Sequence, residues 1–554
     1  SATPPRARRP ESHRAAPERR RHLPQHPSPD RLFTGPRRTR GAPVTSVPLR
    51  SPGAARFRGT FTSAPEARAL HATAAGPFRI QPEAVAVPRD AEDVEALVTW
   101  AASEGVAIIP RGAATGMPGG NVGGGVAVDL VAGLAWIADP DPHLRTIRCG
   151  AGATAAAVAR AAARGGLTLP ALPSSAERCT IGGMVANNAA GARSFRHGAT
   201  RAWVASLDVV WADGSRSEIG SGEAPSWARP LAAELASAMD DGWPRVRKNS
   251  SGYALDHFIP GGDALQLLVG SEGTLGVIVG VTLRLAPHPA ERAVLLVALP
   301  SLDLIPDAAR AASDAGASAC ELFGRRLLEM AAQTGHAIPG DGGDADAVIL
   351  FEMEGDPDGV GHGLGQLRRW AADLRLDAVE ATHDEGRARL WDLRHAASPL
   401  IARAAEGGRR STQFIEDSVV PVAAVPAYLR GLDEILGRAA MDAVVFGHAG
   451  DGNIHVNPMV DVGASGWRDR VRSVLADTVT LVAGLGGTLS GEHGDGRLRA
   501  PFLERIWPAP AMAGFRSVKA RLDPAGILNP GVILPLPGQD ALAGLWADLE
   551  EAGG

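Results

Sequence analysis

Two stretches in the C-terminal third carry the residues best equipped for chemistry. FGHAGDGNIHVNP (446–458) sets His448 and His455 seven apart across a turn rich in Gly and Asp, and SGEHGDGRLR (490–499) adds Glu492 and His493. Two imidazoles and a carboxylate suit a borderline divalent ion that keeps open positions. A lone His pair is more often a hydrogen-bonded core feature. The two Gly-flanked stretches occurring together favour a ligand set. In such a turn the neighbours Glu492 and His493 can share one pocket, which a regular strand forbids because adjacent side chains alternate faces.

Three glycine stretches in the N-terminal half suggest a second kind of chemistry. PRGAATGMPGGNVGGGVAVDL (110–130) holds seven Gly between 112 and 125, and glycine lets backbone N–H groups approach phosphate oxygens as an anion nest. No GK[ST] follows, so it is not a P-loop, and no GxGxxG opens a helix. LPSSAERCTIGGMVANNAAGARSFRHGATRAWV (172–204) is dominated by small residues that suit a flat, phosphate-bearing ligand; a tight helix–strand contact is the alternative. LLVGSEGTLGVIVGVTLRL (267–285) is the third.

These segments need elements to position them. AVAVP (84–88) reads as a strand. Asp90 then offers an N-cap to a helix whose face is Val94, Leu97, Val98 and Ala101, and VAIIP (106–110) completes a β-α-β unit. TIRCG (146–150), an Ala-rich helix at 153–164 and LTLPAL read as a second such unit. SLDVVWADGSRSEIG (206–220) is a hairpin around Asp213-Gly214, and 277–287 a strand. From Arg292 strands at 292–299, 347–354, 443–447 and 453–457 alternate with helices near 303–315, 358–375, 423–439 and 467–484. That pattern predicts a second α+β unit with a helix-covered antiparallel sheet.

Composition sets outer bounds. The chain has 554 residues, 45% of them hydrophobic, and no apolar run of membrane-spanning length. Residues 1–50 carry 12 Arg against three acids, plus ten Pro, and predict a disordered tail: a mis-assigned start before about Val44, a transit peptide or a nucleic-acid tail. The net charge of −5 therefore leaves the remaining body acidic, which argues against nucleic acid as partner. Three dispersed cysteines (Cys149, Cys179, Cys320) encode neither a disulfide framework nor iron–sulfur ligands.

The glycine stretches, in this order and spacing, resemble the FAD-binding domain of the flavoprotein family named for vanillyl-alcohol oxidase and p-cresol methylhydroxylase. Within it they are similar to the D-2-hydroxyacid dehydrogenases, a branch spanning D-lactate, D-2-hydroxyglutarate and glycolate enzymes, from about Ala84 to Ile533. The resemblance implies an α+β chain: a two-part FAD-binding domain (51–288), a substrate and metal cap domain with an antiparallel sheet (289–500), and a C-terminal segment (501–540) that returns to the FAD domain. It implies that Arg111, Gly112, Ala113, Ala114, Thr115, Gly116 and Met117 hold the FAD pyrophosphate. Pro173, Ser174, Thr180, Gly183, Asn187 and Gly198 line the cofactor, Ile278 meets its adenine side, and Asn529 reaches back to the flavin. Met117 and Pro118 stand where some relatives carry a covalent histidine, so FAD is expected to be non-covalent.

The same resemblance assigns His448, His455 and Glu492 to a divalent metal (zinc first, then manganese or iron), Asn457 to substrate and His493 to the general base. RLWDLRHAAS (389–398) resembles the segment whose Arg394, with Ser398, meets the substrate carboxylate. In QFIEDSVVP (413–421) Ile415 stands where D-2-hydroxyglutarate enzymes carry a lysine, which weakens a dicarboxylate substrate. The implied reaction is hydride transfer from a D-2-hydroxy acid such as D-lactate to flavin N5, with metal charge lowering the pKa of His493. Electrons would pass to a cytochrome, quinone, electron-transfer flavoprotein or iron–sulfur subunit. A cytoplasmic protein, peripheral at the inner membrane in one variant and homodimeric in another, is expected. The competing readings are a metal-dependent hydrolase, which leaves the glycine stretches unexplained, and a flavin subunit without its own substrate.

Overall fold

The computed structural model describes residues 51–545 apart from 54–55, 240–241, 337, 339–344 and 405–408; the tail expected to be disordered lies outside the described residues. The N-terminal half is built on two four-stranded sheets. In the first, Thr60–Thr62, Ala84–Val87, Val126–Asp129 and Ile108–Arg111 lie in that order. The helix Ala91–Glu104 forms as its sequence predicts: the Asp90 carboxylate accepts the Asp93 N–H, left-handed Gly105 ends it, and Val94, Leu97, Val98 and Ala101 are buried.

The first expected β-α-β unit forms, with a third strand between its two. Ala84–Val87 and Ile108–Arg111 each pair in parallel with Val126–Asp129, which the glycine loop delivers between them. The second expected unit does not form. Thr146–Gly150 joins Val277–Arg284, Val204–Val210 and Arg216–Gly220 in an antiparallel sheet, whereas LTLPAL yields only Leu167–Thr168, paired with Ala286–Pro287. Hydrophobic period marks these strands, but partner choice is long-range and leaves no period.

The C-terminal half is one antiparallel sheet in the order Ala378–Ala381, Glu291–Leu299, Ala347–Gly355, Ala319–Gly324, Asp442–His448, Asn453–Asp461, Arg409–Ser411, with Ser418–Val419 also on Asn453–Asp461. Four of these strands, Ala319–Gly324, Ala378–Ala381, Arg409–Ser411 and Ser418–Val419, are absent from the sequence reading. The expected helices are present as Ile305–Asp314, Pro357–Asp373, Val425–Arg438 and Trp467–Gly484. Helix Asp384–Ala404 lays Leu390, Leu393 and Ala397 on one sheet face, over Phe323, Val444 and Phe446. At the C-terminus, Leu528 bridges to Ile108 and Phe515 packs into the core of the N-terminal half. Among the described residues no helix is long and apolar enough to cross a membrane.

Candidate functional site

The tight turn between Asp442–His448 and Asn453–Asp461 brings the two histidines to one end of the large sheet. His448 Nε2 lies 3.1 Å and His455 Nε2 3.2 Å from Glu492 Oε1, and the two nitrogens are 3.4 Å apart. All three residues are buried. The tautomers follow from the other ring nitrogens: His448 Nδ1–H donates to Glu321 Oε1 (2.6 Å) and His455 Nδ1–H to the Glu416 carbonyl (3.0 Å). Neutral rings so fixed aim two Nε2 lone pairs and a carboxylate oxygen at one point. Three converging acceptors repel unless a cation, a proton or a metal ion, sits among them. Metal–ligand bonds of about 2.0–2.2 Å give donor–donor edges of roughly 3.0–3.5 Å, so the triangle matches one face of such a coordination sphere. Glu321 and the Glu416 carbonyl are the acceptors that orient ligating imidazoles.

Asp417 explains how neighbours Glu492 and His493 face one pocket. Its Oδ2 accepts the N–H groups of Gly491 (3.0 Å), Glu492 (3.1 Å) and His493 (2.9 Å) and the Ser490 hydroxyl (2.9 Å). The turn wraps this carboxylate and throws both side chains outward. Asp417 also lies within 4.8 Å of donor atoms of His455, Glu492 and His493. Its Oδ2 is committed to the turn and its Oδ1 accepts from Asn453 Nδ2 (2.9 Å), so His448 is the better candidate for a third ligand. Burial pushes the Glu492 carboxyl up, but the Lys248 ammonium beside it outweighs that and holds it well below the usual range.

His493 stacks on His455 (ring centroids 5.3 Å apart), and its Nδ1–H donates to Glu416 Oε2 at 2.6 Å, leaving Nε2 3.7 Å from Glu492 Oε1. Burial depresses its pKa, yet Glu416 and Asp417 overcome that and push it up to about 9. The sequence reading weighed only the metal's charge, which acts in the opposite direction. Arg394 donates Nε to Glu321 Oε2 (3.1 Å) and lies over Phe446, one residue from the cluster. Asn457 follows His455 by two on the same strand and shares its face; its Oδ1 accepts the Ser411 hydroxyl (3.4 Å). Ser398 is exposed on the Arg394 helix.

The glycine stretches enclose a cleft lined by Arg111, Gly112, Ala113, Ala114, Thr115, Gly116, Thr180, Gly183, Asn187 and Ile278. A Cβ on Gly112 would fall 2.3 Å from Thr180 Oγ1, and one on Gly182 2.7 Å from Ala151 Cβ. Thus part of the second stretch is a tight contact, while Gly183 beside it faces the cleft. Asn121 Oδ1 is buried in the lining without a partner, the kind of atom a polar ligand would satisfy. These features fit a flavin dinucleotide. Arg111, however, spends its guanidinium on the carbonyls of His71, Thr73 and Asn121, latching the loop. Met117, Pro173 and Ser174 are outside this lining, and Gly198 lines a second, more polar cleft with Lys248. Asn529 frames the first cleft, donating Nδ2 to the carbonyls of Gly120 (2.7 Å) and Glu272 (2.8 Å).

Cleft and cluster meet where Asn187 Nδ2 donates to the His493 carbonyl (2.9 Å). Glu272, on the cleft wall, accepts the Asp495 N–H (2.6 Å) and the Gly496 N–H, pinning the metal-side turn to the cleft. The sequence reading missed Glu272, Glu321, Glu416, Asp417 and Lys248. A Glu inside the apolar strand ACELFG and the ED pair of QFIEDSVVP were the available signals.

Comparison with known proteins agrees with this geometry. Residues 82–220 match the family described as FAD binding domain, and residues 288–533 that described as FAD linked oxidases, C-terminal domain. The chain is 30% identical to a D-lactate dehydrogenase of Archaeoglobus fulgidus (81% of this chain, 91% of the relative). It is 33% identical to a D-2-hydroxyglutarate dehydrogenase of Xanthomonas citri (81% and 89%) and 29% to glycolate oxidase subunit GlcD of Bacillus subtilis (82% and 89%). The fold is similar to that of 4-ethylphenol oxidase from Gulosibacter chungangensis, with TM-score 0.61 at 15% identity over 85% of this chain and 93% of that one. With these matches the chain belongs to the FAD-linked oxidases, with an FAD-binding domain followed by a domain built on an antiparallel sheet.

Proposed function

We propose that the protein oxidises a small D-2-hydroxy acid, D-lactate or one of similar size, to the 2-keto acid. FAD would occupy the cleft and a divalent cation, zinc before manganese or iron, the triangle of His448, His455 and Glu492. The observation that carries this reading is that triangle of acceptors, 3.1 to 3.4 Å on a side, one hydrogen bond from the flavin cleft. When bound, the flavin supplies a hydride acceptor and the cation draws electron density from the substrate hydroxyl.

The chain's own residues do the rest. His493 Nε2 takes the hydroxyl proton, while Glu416 holds Nδ1–H and fixes the ring. Arg394, held through Nε by Glu321, offers its remaining N–H groups to the substrate carboxylate. Asn457 supplies an amide on the His455 face. Buried, apolar Ile415 beside Glu416 favours a short tail over a second carboxylate. Identities of 30%, 33% and 29% to the lactate, hydroxyglutarate and glycolate relatives do not rank these substrates, so the tail is argued from Ile415. The electron acceptor is a non-nicotinamide one.

Anaerobic bleaching of the flavin by D-lactate, glycolate, D-2-hydroxyglutarate, D-malate and the L-enantiomers tests the proposal. D-lactate should bleach fastest and the L-acids not at all. A flavin- and metal-loaded protein that none of the acids bleaches would refute it.

A further inference from the structure

Residues 247–252 of the N-terminal half run beside the turn that carries Glu492. The Ser250 N–H donates to the Ser490 carbonyl (3.0 Å), the Ser250 hydroxyl to the Gly491 carbonyl (2.9 Å) and the Gly252 N–H to Asp495 Oδ2 (2.7 Å). Lys248 extends from this ladder with 4% of its surface exposed, and its Nζ donates to Glu492 Oε2 at 2.5 Å. Glu492 Oε1 is the atom that faces His448 and His455. One carboxylate is thus divided: one oxygen on a buried ammonium, the other on the histidine triangle.

The residue type at 248 is informative. Lys and Arg together number 56 and only two are lysines, so arginine is this chain's default cation. A guanidinium is a planar fork that engages both oxygens of a carboxylate, whereas an ammonium is a compact charge that can engage a single oxygen. We infer that Lys248 is a positioning residue: it occupies Glu492 Oε2 and so reserves Oε1 as a single-oxygen ligand for the divalent cation. This role rests on the metal reading above. It also ties the cluster's geometry to a segment of the N-terminal half, across 244 residues of sequence.

The test uses the full-length flavoprotein as wild type, Lys248→Arg and Lys248→Met. Each is stripped with a chelator and titrated with Zn²⁺ against a chromophoric competitor, while flavin absorbance and the melting temperature of the metal-free protein are recorded. Lys248→Arg keeps the positive charge, so it should retain flavin and the wild-type melting temperature yet bind Zn²⁺ about 10–100-fold more weakly, the usual effect of disturbing a ligand's hydrogen-bond partner. Lys248→Met should bind Zn²⁺ weakly too, and Arg should not rescue it. Zn²⁺ affinity of Lys248→Arg equal to wild type overturns the inference. So does a Lys248→Arg protein that melts as low as Lys248→Met, because Lys248 would then act through stability alone. A wild type that binds no Zn²⁺ or other divalent ion removes the metal reading instead, which is a separate result.

Discussion

The flavin cleft and the histidine cluster touch through Asn187 and His493, but they are made of different materials. The cleft wall is mostly glycine, alanine and backbone, and its one arginine is turned to loop carbonyls. The cluster is made of buried ionisable side chains: His448, His455, Glu492, Glu321, Glu416, Asp417 and Lys248, each facing a partner from a distant segment. A surface of backbone selects by shape and close approach, so it is broken by adding atoms. A cluster of buried charges depends on every partner being present, so it is broken by removing one.

Removing a ligand should have the largest effect. His448→Ala should lose the metal and substrate-driven flavin reduction by more than the about 10²–10⁴ that a positioned base is worth, while the flavin spectrum persists. Elemental analysis beside anaerobic reduction checks this; a variant that retains both metal and turnover would erase the contrast. His493→Ala sharpens it, because base and ligand are neighbours with different duties. It should keep flavin and metal but lose on the order of 10²–10⁴ in rate, and the acid limb of the pH–rate profile should flatten because no imidazole remains to be protonated. Loss of the metal in that variant would recast His493 as a ligand.

The cleft is tested from the opposite direction. Gly182→Val places a side chain against Ala151, whose Cβ lies only 2.7 Å from the added Cβ position. Overpacking of this kind costs about 1–3 kcal/mol. Flavin content should fall while Zn²⁺ still binds, and full flavin retention would mean the close approach is unimportant.

The smallest effect is expected at an ion cluster joining the two halves. Glu354 accepts from His197 (2.7 Å) and Arg292 (3.0 Å), and Arg193 lies 3.6 Å away. Burial raises its pKa, but these cations outweigh it and bring it from the ordinary 4.5 down to about 2. Its stabilisation is therefore complete above the ordinary value and disappears as pH falls through about 2. Glu354→Gln should cost about 1–3 kcal/mol at neutral pH, and the gap from wild type should close in strong acid. A gap independent of pH, read from denaturant titrations, would show that the loss is not ionic.

The same difference of materials decided what could be read from the chain. Glycine stretches are local signals, and the helix from Ala91 announces itself through Asp90, Gly105 and a one-faced apolar period. His448, His455 and Glu492 stood out by type and spacing. Glu321 lies 127 residues from the His448 it orients, and nothing in a linear pattern links them. Asp417 sat in a stretch already singled out for Ile415, but its role as the core of the 490–493 turn is visible only in space. The placement of Val126–Asp129 between the two strands of the first β-α-β unit is likewise invisible in a linear pattern.

The central claim is that flavin and metal sites are separately built yet jointly required. It is tested most directly by mixing D-lactate anaerobically with the flavoprotein before and after chelation, and again after Zn²⁺ or Mn²⁺ is restored. The visible flavin spectrum should survive chelation unchanged, its bleaching by substrate should vanish, and the metal should bring bleaching back. Undiminished bleaching in protein shown by elemental analysis to be metal-free would contradict the account.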